Sequence, residues 1–211
     1  MFNIIYLSEI ILYFAIYSLI GWALEVLYAS YESKKFVNRG FLFGPVCPIY
    51  GIGVLFLITI LGPIANHPFL FFIGAIITTS ALEYLTGFIL ESIFKTNWWD
   101  YSDQKYNLDG KICLKFSIYW GFLSLFLFYF IHPSIVSFVS LIILKTSFYL
   151  SLAIFMYFLI DFIISLIFII NLRSIFHKLD HLKDQYEDDF LKFKRRSRRL
   201  FKAFPHIKLV K

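Results

Sequence analysis

Four carboxylates stand in stretches otherwise oily enough to cross a bilayer: Glu25, Glu83, Glu91 and Asp161. A charged side chain in hydrocarbon is costly, so such residues turn toward the bundle interior, toward water or toward a cation. Two polar stretches lie between the oily blocks. Asn38–Gly53 (NRGFLFGPVCPIYGIG) brings Asn38 and Arg39 in a loop rich in glycine and proline. Trp98–Cys113 (WWDYSDQKYNLDGKIC) brings Asp100, Tyr101 and Asn107 beside two adjacent tryptophans. A plain tether between spanning helices needs none of these groups. Arginine among carboxylates offers bidentate pairing that lysine cannot copy. Two carboxylates in different surroundings can also separate their pKa values and act as acid and base. The expected site therefore comprises Glu25, Asn38, Arg39, Glu83, Glu91, Asp100, Tyr101, Asn107 and Asp161, with Arg39 paired to Glu25, Glu83 or Glu91. The competing reading of each carboxylate is an ion pair or helix–helix hydrogen bond that only fixes the bundle.

The elements that must carry these groups are long apolar helices. The chain has 211 residues, is 59% hydrophobic and has a mean hydropathy of +0.73. A soluble domain carries less apolar and more charged sequence. Blocks near the roughly 20 residues needed to cross a bilayer recur along it. They predict spans at about 4–28, 45–61, 69–94, 116–131 and 148–170. Pro45 and Pro48 fit the start of the second block, where helical N–H groups have no partner anyway. Gly51, Gly53 and Gly87 allow close helix approach in lipid. Residues 134–144 are too short to cross; they either extend the fourth span past a kink at Pro133 or lie in the interface. His67 and His132 fall at the expected outer turns and read as solvated or capping residues. Taking the third span to begin near Phe69, a rise of about 1.5 Å per residue puts Glu83 roughly 21 Å down its span, and Asp161 at a similar depth in its own. Glu83 and Gly87, four apart, share a helix face. The first residues lack the basic n-region and cleavage site of a signal peptide, which predicts that the first block is retained.

The fold class is thus an all-α, polytopic membrane bundle of about five transmembrane helices, residues 1–171, followed by an amphipathic basic tail, 172–211. With five spans the first and third loops share a side with the tail. Those segments hold 3, 4 and 12 of the 20 Lys and Arg residues, and the opposite side only Lys145. The asymmetry predicts the N-terminus outside and the tail in the cytoplasm, in a multi-pass protein of the cell membrane. Within the tail, Lys192, Lys194, Arg195, Arg196, Arg198, Arg199 and Lys202 alternate with aromatics and Leu200. That pattern fits anionic lipid headgroups. The basic excess is no sign of a nucleic-acid reader, since no groove-reading motif accompanies it. Two cysteines, Cys47 and Cys113, make neither a disulfide framework nor a metal pattern. No Ser-His-Asp order, HExxH or GxxxxGK[ST] occurs, so no metal, nucleotide or other cofactor is expected.

Gly21-Trp22-x-x-Glu25, Asn38-Arg39-Gly40-Phe41-Leu42-x-Gly44-Pro45-x-x-Pro48-Ile49-Tyr50-Gly51, Glu83-Tyr84-x-x-Gly87, Trp98-Trp99-Asp100-Tyr101-Ser102, Asn107-x-x-Gly110-x-Ile112-Cys113-Leu114 and Trp120-Gly121 follow one another in that order. Over about residues 18–133 this resembles the membrane family labelled putative ABC-transporter type IV, or CmpB-like permease. Lys111 stands where the pattern calls for arginine, which keeps the charge and loses the planar fork. The resemblance implies a permease component handling a small solute or a lipid, with a separate ATPase or membrane subunit as partner. Two other classes stay open: an intramembrane enzyme acting on a lipid or isoprenoid substrate through Asp100 and the glutamates, and a structural or regulatory subunit.

Overall fold

In the computed structural model, residues 2–40, 42–94, 96–180 and 208–209 are described. Five helices dominate: α1 (Phe2–Ser33), α2 (Pro48–Phe56), α3 (Pro68–Phe94), α4 (Leu114–Phe126) and α5 (His132–Asp180). Four stretches are long and apolar enough to cross a membrane: Ile4–Ser33, Pro68–Phe94, Leu114–Thr146 and Phe148–Asn171. The helical run Pro48–Ile64 is shorter. The outer surface is oily, with Phe69, Phe130 and Leu144 among many large exposed side chains. The buried positions include small polar ones instead: Ser8, Ser18, Ser117, Ser124, Ser151 and Ser165. That distribution suits lipid, where close packing of small residues rather than hydrophobic burial joins helices.

Glycines set the helix contacts. A Cβ on Gly51 would lie 2.6 Å from the Phe14 carbonyl oxygen, so α2 meets the backbone of α1 there. Gly21 opposes the Tyr50 ring across the same interface. On the other side of the bundle a Cβ on Gly121 would lie 2.6 Å from Ile76, drawing α4 onto α3. Ser80 donates a 2.7 Å hydrogen bond to Ser117 across that seam.

Two prolines are absorbed in the same way. Leu57–Leu61 and Leu127–Ile131 are π turns, each ending two residues before a proline, Pro63 and Pro133. The His132 N–H reaches back five residues to the Leu127 carbonyl. A wider turn relieves the crowding that a proline ring imposes on the carbonyl four residues earlier. The helix therefore continues through His132-Pro133, and residues 134–144 extend the fourth span. The two π turns also pack together, Leu57 and Leu61 against Leu125, Phe128 and Tyr129.

His132 is accordingly no outer-turn residue. It is half-buried, and its Nδ1 lies 2.7 Å from the Tyr17 hydroxyl in α1. Phe14, one turn earlier in α1, packs edge-on against Phe158 with ring centroids 5.1 Å apart. In a straight helix residues 132 and 158 would be about 39 Å apart. Residues one turn apart on α1 cannot touch both, so the axis of α5 folds back between them. The first arm rises beyond α4 and the second returns along α1.

The second arm ends where both polar loops lie. Phe43 packs on Phe168, and Ile169 joins Phe94 and Trp98 in one buried cluster. The third loop holds a small hairpin, β2 (Asn107–Leu108) antiparallel to β3 (Ile112–Cys113), with Asn107 opposite Cys113. Its turn uses left-handed backbone at Asp109 (φ 51°) and Gly110 (φ 65°), which asparagine-like and glycine residues tolerate best. β1 (Thr96–Asn97) pairs antiparallel with β4 (Lys208–Leu209), which brings that strand to the same end of the bundle.

Candidate functional site

The first loop turns inward because three side-chain oxygens and one carbonyl receive its N–H groups. Asp161 Oδ2 accepts from Gly44 N–H (2.9 Å) and Asp161 Oδ1 from Phe43 N–H (3.1 Å). Ser165 Oγ lies 3.2 Å from the Phe43 nitrogen, and the Ser18 carbonyl accepts from Cys47 N–H (2.9 Å). A loop at membrane depth needs such partners, since lipid supplies none. Asp161, buried in the second arm of α5, thus acts as the anchor of this loop. The Trp22 indole donates to Asn38 Oδ1 (2.8 Å) and fixes the loop's entry.

That fold delivers Arg39 to Glu25. The guanidinium Nη1 lies 3.4 Å from Glu25 Oε2, while Glu25 Oε1 accepts a 2.6 Å hydrogen bond from the Tyr50 hydroxyl. Both members of the ion pair are less than a third exposed. The Tyr50 ring meets Trp120 of α4 edge-on at 5.7 Å. Trp120 approaches Glu83, a buried residue of α3 near which Glu25 also lies. Tyr101, from the third loop, donates to Glu83 Oε1 (3.0 Å) and stacks on Phe116 at 4.9 Å. Glu83 Oε2 is buried with no hydrogen-bond partner among the described residues. One connected polar group therefore joins α1, both loops, α2, α3 and α4.

The other expected residues are placed differently. Glu91 pairs with Lys111 Nζ at 2.6 Å, on the far side of Gly87 and Trp99. Lys111 is itself held by the loop, its carbonyl accepting from the Trp99 indole (2.8 Å). Asp100 is exposed, and its Oδ1 takes both the N–H (2.9 Å) and the hydroxyl (2.5 Å) of Ser102. Asn107 donates to the Gln104 carbonyl (2.7 Å) and accepts from Gly110 N–H (3.2 Å). Both side chains thus help to fold the third loop. Lys192–Lys202 lies outside the described residues. Tyr50 and Trp120 were not singled out as site residues. Each neighbours a glycine in sequence, Gly51 and Gly121, and that pairing of a ring with a close-contact position was the available signal.

Burial shapes two groups outside the spans. Removal from water pushes the Cys47 thiol up to about 12, with Glu25 raising it further and Arg39 opposing. Burial also pushes the Tyr101 phenol above the ordinary tyrosine range, reinforced by the charge of Glu83 and the hydrogen bond to it. Tyr101 is thus a proton donor and Cys47 an inert thiol. Among the described residues no group of His, Cys, Asp and Glu is arranged to hold a metal ion. The arrangement suits reversible binding of a polar solute, with a fixed guanidinium, hydroxyl donors and an unfilled carboxylate oxygen among aromatic walls.

A family model described as "Putative ABC-transporter type IV" matches residues 12–166. No curated protein and no solved structure matches the chain.

Proposed function

This chain belongs to the putative ABC-transporter type IV family, and from that membership we propose that it is the membrane-embedded permease subunit of a transporter. It handles a small polar solute at the Glu25–Arg39–Tyr50–Glu83–Tyr101 cluster and works with a separate ATPase. The observation that supports this reading most is the connection of that cluster to four helices and two loops at one end of the bundle. A group shared by so many elements responds when any of them moves, as alternating access requires. The basic-residue asymmetry supports a cytoplasmic position for that end, where an ATPase would dock. The basic run Lys192–Lys202 then lies at the inner membrane surface and binds anionic headgroups there.

Affinity purification of the tagged full chain from its native membrane tests the partner. A co-purifying ATPase with vanadate-sensitive hydrolysis is the expected result; a chain that purifies alone, without hydrolysis, refutes the reading. Orientation is tested separately with cysteines placed at Asn66 and Gln104. An impermeant maleimide added outside should label only the first, and labelling of both from outside overturns the topology.

A further inference from the structure

The geometry points to Glu83 as the recognition point for the ammonium group of a small amine-bearing solute. This rests on the permease reading of the same cluster and names the class of its substrate. Three observations converge.

The first is charge. Glu25 and Glu83 lie close together, and the cluster supplies one guanidinium, Arg39, paired with Glu25 at 3.4 Å. The other ion pair among the described residues joins Lys111 with Glu91 and is separate. Among the described residues no cation lies within ion-pairing distance of Glu83. The second is the unfilled acceptor. Glu83 is 8% exposed and its Oε1 is engaged by Tyr101; the Trp120 indole lies beside the carboxylate, but its buried Oε2 has no aligned hydrogen-bond partner among the described residues. Buried polar atoms are nearly always hydrogen-bonded, and an orphan asks for the donor it lacks. An N–H of a protonated amine supplies both the donor and the missing positive charge. The third is the wall. Tyr101 and Trp120 flank the carboxylate, with Phe116 stacked on the first ring and Tyr50 edge-on against the second. Such rings accept the alkyl part of an organic ammonium and favour a cation over a neutral analogue.

The Tyr101 hydroxyl is the donor that covers the carboxylate. It sits on the third loop and not on a helix, so loop withdrawal opens the path without unwinding a span. The other groups that act on Glu83 are Glu25 from α1 and Trp120 from α4, neither of them cationic.

The test is thermal unfolding of the purified full chain in detergent at constant ionic strength, titrated with propylammonium chloride. Controls are 1-propanol, which lacks the charge, and tetramethylammonium chloride, which lacks N–H donors. A saturable rise in the unfolding temperature with propylammonium alone is expected, and Glu83→Gln should raise the half-saturating concentration at least about tenfold. No saturable rise, an equal rise with propanol, or an unchanged titration in Glu83→Gln overturns the proposal. Should Glu83→Gln fail to fold, the three-ligand comparison on the wild-type chain decides alone. Tetramethylammonium matching propylammonium would show cation trapping by the rings without Glu83 Oε2, and overturns it as well. Failure here leaves ATPase co-purification untouched, so it is distinguishable from failure of the permease reading.

Discussion

Arg39 is the residue at which a small change should tell most. Glu25 is held on one side by Tyr50 and on the other by the guanidinium, and neither ion-pair member is freely solvated. Arg39→Gln leaves Glu25 with a hydroxyl and no cation. Exposed pairs contribute up to about 1 kcal/mol and breaking buried ones costs about 3–5, so a partly exposed pair should lose about 1–3 kcal/mol. Thermal unfolding in detergent reads this, and Glu25→Gln in the same chain should return part of the loss because neither charge is then stranded. A double substitution as unstable as the sum of the singles would argue against the pairing. Tyr101 gives a pH signature. Its phenol ionises above the ordinary tyrosine range in the folded chain, through burial first and Glu83 second. Below about pH 10 the phenol is neutral folded and unfolded alike; above it the unfolded chain sheds a proton that the folded chain keeps. Stability should therefore fall as pH rises past about 10. Tyr101→Phe should be less stable at pH 8 by about 1 kcal/mol, the usual net worth of a hydrogen bond. Its further loss between pH 9 and 11 should be smaller than that of the wild type. Parallel pH curves would sink this account.

At the scale of helices, the contact of α1 with α2 depends on absent side chains. Gly51→Ala places a methyl group against the Phe14 carbonyl and Ser18, and backbone cannot step aside as a flexible side chain can. Overpacking of this kind typically costs about 1–3 kcal/mol. Gly62 has nothing within 4 Å and ordinary helical dihedrals, so Gly62→Ala should be neutral. The fraction of monodisperse protein on size exclusion after mild heating separates the two, and equal behaviour would refute the packing argument. Much at this scale was legible beforehand. Long apolar blocks have one solution in lipid, and Glu25, Glu83 and Arg39 stood out because charge there demands a partner. The partners themselves were not. In a chain that is 21% aromatic, nothing marks Tyr50 or Trp120 as different from a lipid-facing ring. His132-Pro133 left two readings, a kinked continuation or an interfacial segment, because periodicity cannot show that a π turn will carry a helix through proline. Asp161 read as a charge turned to the bundle interior, to water or to a cation; its two oxygens serve backbone N–H groups of a loop 117 residues away.

At the scale of the whole molecule, the bundle is lopsided. Both polar loops, the end of α5 and the pairing of Thr96–Asn97 with Lys208–Leu209 gather at one end. From that end one largely apolar run, Leu114–Thr146, extends for 33 residues, about 50 Å at helical rise. A hydrocarbon core is about 30 Å deep, and a tilt of 40°, the upper end of the usual range, still leaves about 38 Å to cover. The excess must be met by the bend at the π turn or by the surrounding lipid. This molecule should therefore be a gauge of membrane thickness. Reconstituted into bilayers whose acyl chains lengthen from about 14 to 20 carbons, it should unfold at progressively higher temperature, as the exposed side chains of Phe138, Leu141 and Leu144 pass from water into hydrocarbon.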